Sequence, residues 1–146
     1  MITGALRILF YLALGPLIGM IVGNLAIGIN TFATTGNPND FTFGADLFAP
    51  ANLIASYTLG VLPALLTAII ALVLRKPLSG LPYWLWIGLA GAVLSLILAW
   101  SIFGMSPVGQ GIELIFFVVI ASAGAVAGFV CTALFDWLET LFTRRR

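Results

Sequence analysis

Long apolar runs alternate with short polar ones along this chain. Four runs can be drawn: from about Ile8 to Ile29, from about Leu53 to Leu74, from about Tyr83 to Phe103 and from about Ile112 to Leu134. Each holds roughly 20 residues, enough for a helix to cross a hydrocarbon core of about 30 Å at about 1.5 Å per residue. Such runs must be helical, because lipid offers no partner to an open backbone amide. The alternating strands of an outer-membrane barrel do not occur. The pattern predicts an all-α, polytopic membrane protein with a single domain over 1–146. Four transmembrane helices form two hairpins, and a long outer loop, 30–52, joins the first two.

Past the fourth run the pattern changes. Leu134, Leu138, Leu141 and Phe142 make one stripe, and Asp136, Glu139, Thr140 and Thr143 make the other. Both spacings are helical. They predict a short C-terminal amphipathic helix, within the tail 134–146, that leaves the membrane and lies along its inner surface. There Arg144, Arg145 and Arg146 would sit among anionic headgroups, each worth about 1 kcal/mol near such a surface.

Composition agrees with lipid as the solvent. The 146 residues are 62% hydrophobic and 8% charged, whereas soluble domains carry about 25% charged residues. The excess apolar surface needs lipid or a partner protein. A net charge of +1, with no basic patch interleaved with aromatics, gives no reason to expect a nucleic-acid partner.

The placement of charge sets the orientation. All six cations are Arg7, Arg75, Lys76 and Arg144 to Arg146, so four crossings put every one of them on one side. By the positive-inside rule both termini and the 75–82 loop face the cytoplasm, in a bacterial inner membrane. Asp40 and Asp46 lie in the outer loop. A six-to-zero bias argues against dual-topology transporters and fluoride channels. The run after Arg7 spans about 22 residues, longer than the roughly 7–15 of a signal-peptide core, so it reads as a retained signal anchor. Tyr83, Trp84, Trp86, Trp100 and Trp137 fall where the headgroup levels are expected, the usual place for aromatic belts.

Small residues recur at four-residue spacing: Gly15, Gly19 and Gly23 in the first helix, Ser56, Gly60, Ala64 and Ala68 in the second, Gly124 and Gly128 in the fourth. In lipid, helices associate by close packing, and such GxxxG-type faces let backbones approach. They fit packing within a monomer or between copies in a homo-oligomer. Pro16 and Pro63 fall near mid-membrane. Each removes one backbone hydrogen bond and kinks its helix. The kinks either shape the bundle or hinge a substrate site, as in transporters with broken helices.

Reactive chemistry is sparse. There is no histidine, and Cys131, in an apolar run, reads as a small buried hydrophobe. No nucleophile–base pair, cofactor motif or metal-ligand cluster stands out, so catalytic, cofactor-binding and metal residues are none and an enzyme is not expected. Glu113 opens the fourth helix at the outer edge. Asn24, Ser56, Tyr57 and Ser101 fall in the same outer layer, which suggests an outward-facing polar vestibule of these five residues. The inner half offers no comparable polar path.

Leu14-Gly15-Pro16 and Tyr57-x-x-Gly60-x-x-Pro63-Ala64 resemble small four-span inner-membrane proteins of bacteria grouped as domains of unknown function. The resemblance covers most of the chain and implies no activity. Two roles remain. One is a non-enzymatic accessory, assembly or structural subunit with a membrane-protein partner. The other is a small transporter or channel using the vestibule.

Overall fold

The computed structural model describes residues 2–37, 48–75, 80–103 and 110–143. Among these the chain forms four α-helices and no strand: α1 Ile2–Thr35, α2 Pro50–Leu74, α3 Gly80–Phe103 and α4 Gln110–Thr143. Each contains a stretch long and apolar enough to cross a membrane, as the four runs predict. Asp40 and Asp46 of the long loop lie outside the described residues, as do Lys76 and Arg144 to Arg146.

All four helices begin before their apolar runs, and α1 and α4 also continue past them, while α2 and α3 stop at Leu74 and Phe103 as expected. At the end of α1 the Thr31, Thr34 and Thr35 hydroxyls donate to the carbonyls of Ile27, Asn30 and Thr31, each at 3.0 Å. These polar side chains are satisfied by their own helix, so it continues past Ile29. Gly36 then takes φ 67° and donates its N–H to the Phe32 carbonyl at 2.8 Å, a left-handed cap that ends α1. Pro50 suits the first turn of α2, where a missing N–H leaves nothing unpaired. Residues 134–143 form no separate helix. They are the last turns of a continuous α4 of 34 residues.

α1 packs against α2 and α4, and α3 packs against the same two, while the backbones of α1 and α3 stand apart across the diagonal. The result is a square antiparallel bundle in which sequence neighbours are spatial neighbours. Gly36 and Pro50 lie at one end. Arg7, Arg75, Gly80 and the C-terminal turns of α4 lie at the other, here called the basic end.

Small residues make two of the seams. A Cβ on Gly128 would come within 2.9 Å of the Ile87 carbonyl oxygen, and one on Gly88 within 3.1 Å of the Ala125 carbonyl oxygen. A Cβ on Gly91 would collide with the Gly124 carbonyl. α3 and α4 therefore touch backbone to backbone. Between α1 and α2, a Cβ on Gly15 would meet Ala64 at 3.1 Å and one on Gly60 would meet Pro16 at 3.1 Å. Gly23 has only an ordinary contact, with Val119 at 4.0 Å, and Gly19 has nothing within 4 Å. The outward faces carry exposed Leu9, Val73, Leu85, Ile97 and Val118, the surface expected of helices solvated by lipid.

Candidate functional site

Arg7 lies one turn inside α1 and has no solvent exposure. A charge so placed is held only if its donors are occupied. Its Nη1 donates to the Tyr83 hydroxyl at 2.6 Å, and its Nη2 donates to Oδ1 of Asp136, forming an ion pair. The guanidinium carbon sits 4.6 Å from the centroid of the Phe135 ring, a cation–π distance. Nε alone has no partner.

Each of these partners is itself fixed. Tyr83 accepts from Arg7 and donates to the Ala71 carbonyl at 2.7 Å, tying α3 to α2. The second oxygen of Asp136 accepts from Trp84 Nε1 at 2.9 Å. One turn further along α4, Glu139 accepts from Arg75 and lies 4.0 Å from Arg7. That hydrogen bond raises the pKa of Arg75, so its cation persists. Two cations and two carboxylates, drawn from α1, α2 and α4, thus neutralise one another at the basic end, braced by two aromatics of α3.

Below this knot lies a neutral layer. Thr132 donates to the Gly128 carbonyl at 2.7 Å. With its proton so committed, it accepts from the Tyr11 hydroxyl. Tyr11, Ala68, Ala71, Tyr83, Ile87 and Cys131 form the buried core here, which agrees with reading Cys131 as a packed hydrophobe.

Toward mid-bundle the packing opens. A cavity of about 230 Å³ lies between all four helices. Tyr11 and Thr67 line its lower part, and Pro16, Gly19, Pro63, Ser95 and Leu98 are among its walls. Both prolines are buried. Pro16 leaves the Leu12 carbonyl without its helical donor. One residue on, the Ala13 carbonyl accepts from the Tyr57 hydroxyl of α2 at 2.6 Å, the kind of cross-helix support that makes membrane prolines tolerable.

The residues expected to form a vestibule have other engagements. Asn24 donates to the Met20 carbonyl at 2.9 Å, Ser56 to the Leu53 carbonyl at 2.9 Å and Ser101 to the Ile97 carbonyl at 2.8 Å, all within their own helices. Tyr57 bonds across to α1. Of these four only Ser56 also lines the cavity, and the side chain of Glu113 lies outside the described residues.

The polar knot reverses the expectation for the basic end. Asp136 and Glu139 turn into the bundle rather than to water, and Tyr83 is buried beneath Arg7 rather than placed in an interfacial belt. The signal was present: Gly124 and Gly128 continue at the same spacing to Thr132 and Asp136, so the face that packs on neighbouring helices carries the carboxylate inward. Trp86, Trp100 and Trp137 do project outward, each more than half exposed. No family model, curated protein or solved structure matches the chain.

Proposed function

We propose that this integral membrane protein is a non-enzymatic accessory or structural subunit of a bacterial inner membrane, with both termini cytoplasmic. The observation that carries the reading is the engagement of its embedded charges. Carriers and pumps keep an intramembrane ionisable group available to solute or proton. Here Arg7, Arg75, Asp136 and Glu139 are spent on one another. Toward the opposite end Asn24, Ser56, Tyr57 and Ser101 are bonded to backbone carbonyls. In this reading the apolar flanks and the Arg144 to Arg146 tail are the parts that meet lipid headgroups and a membrane-protein partner.

The test is affinity capture of the native protein after mild detergent extraction. A stoichiometric membrane-protein partner supports the proposal. The protein running alone, together with solute flux in liposomes that falls in Glu113→Gln or Asn24→Ala, overturns it in favour of a small transporter. The observation that favours that second reading is the mid-bundle cavity between Pro16 and Pro63.

A further inference from the structure

Serine and threonine in membrane helices normally return their hydroxyl proton to a carbonyl three or four residues back. In this chain Thr31, Thr34, Thr35, Ser56, Thr58, Ser101, Ser122, Thr132 and Thr140 all do so. Among the residues whose side chains are described, two depart from this, Thr67 of α2 and Ser95 of α3, neither of which makes any hydrogen bond. Both line the same cavity. Thr67 is only 3% exposed. An unspent hydroxyl on the buried Thr67, with that of the half-buried Ser95 on the same cavity wall, is unfavourable unless something completes it.

The space itself defines what would do so. At about 230 Å³ it exceeds the roughly 150 Å³ that suffices for an apolar cavity to bind benzene. Its walls contain no charged side chain and are mostly Gly, Ala, Leu, Ile and Pro. The charges nearest it, at the basic end, already neutralise one another. Gly19 contributes open room, since a Cβ there would meet nothing within 4 Å. We infer that the cavity is a binding site for an uncharged lipophile: an aliphatic chain with one oxygen head group that hydrogen-bonds to Thr67 or Ser95. The lipid phase supplies such molecules directly to a bundle that spans it. This inference holds whichever partner the protein has.

The experiment uses the full chain in nanodiscs and a diazirine analogue of octanol, with octanol and octane as competitors. Labelling should map to wall residues such as Leu98 and Ile120, and octanol should compete roughly fivefold better than octane, the worth of about one hydrogen bond. Gly19→Leu fills the space and should abolish the labelling. Thr67→Val with Ser95→Ala should erase the preference for octanol while leaving the melting temperature unchanged, because neither hydroxyl has a protein partner to lose. If Gly19→Leu does not fold, the Thr67→Val, Ser95→Ala protein decides the matter alone. Labelling confined to lipid-facing residues such as Val73 and Leu89 overturns the inference. So does equal competition by octane and octanol.

Discussion

Arg7 carries a positive charge into a site with no solvent contact, and a hydroxyl, a carboxylate and an aromatic ring share the task of holding it. Its five donors form a rigid fork, and the geometry uses two arms of that fork in different directions. Arg7→Lys keeps the charge but offers no fork, so it should destabilise nearly as much as Arg7→Met. Tyr83→Phe takes the acceptor from Nη1 when Nε already has none. It should cost about 1–3 kcal/mol in reversible unfolding measured in micelles, whereas Thr67→Val should cost nothing. At this scale the sequence was least legible. Arg7 and Asp136 are 129 residues apart, and periodicity reports which face a residue occupies, not what stands opposite. The polar stripe of Asp136, Glu139, Thr140 and Thr143 has the same helical spacing whether it faces water or an arginine.

The helices were far more legible, because the length of an apolar run and the geometry of lipid leave few choices. Leu74 and Phe103 end α2 and α3 as expected, but the far ends of α1 and α4 were not legible. Thr31, Thr34 and Thr35 look like loop residues until their hydroxyls return to their own helix. Gly88 and Gly91 lie three apart, off the four-residue template, yet both face α4. The seams separate glycines that are needed from those that are not. Gly128→Ala drives a methyl toward the Ile87 carbonyl, a backbone atom that cannot rotate away, and should cost about 1–3 kcal/mol. Gly19→Ala, with open space around it, should be neutral or stabilising, since it also lowers the entropy of the unfolded chain. Melting of the two variants side by side checks the contrast. Tyr57→Phe removes the cross-helix bond to the Ala13 carbonyl beside the Pro16 break and should cost about 1 kcal/mol.

For the whole molecule, charge and packing divide the bundle along its axis. One end is tied by Arg7, Arg75, Asp136 and Glu139, which neutralise one another, the middle holds a cavity, and the outer surface of the described helices is largely apolar. Cys131 is fully buried, so a membrane-permeant maleimide should label it only after denaturation. Rapid labelling of the native protein would mean that the α1–α4 contact opens. Class and number of crossings followed from the apolar pattern. The polar interior did not, because the same few charges that orient a membrane protein can also be drawn inside it.

The claim on which the rest depends is that Arg7 and Asp136 form one buried unit binding α1 to α4. A double-mutant cycle of Arg7→Met and Asp136→Leu, followed by unfolding in micelles, tests it most directly. Each single change should lower stability by about 3–5 kcal/mol by stranding its partner's charge. The double should fall short of the sum of the two by about 2–3 kcal/mol. Single effects below about 1 kcal/mol that simply add would show that the two residues face solvent or headgroups independently, and that the basic end is not locked.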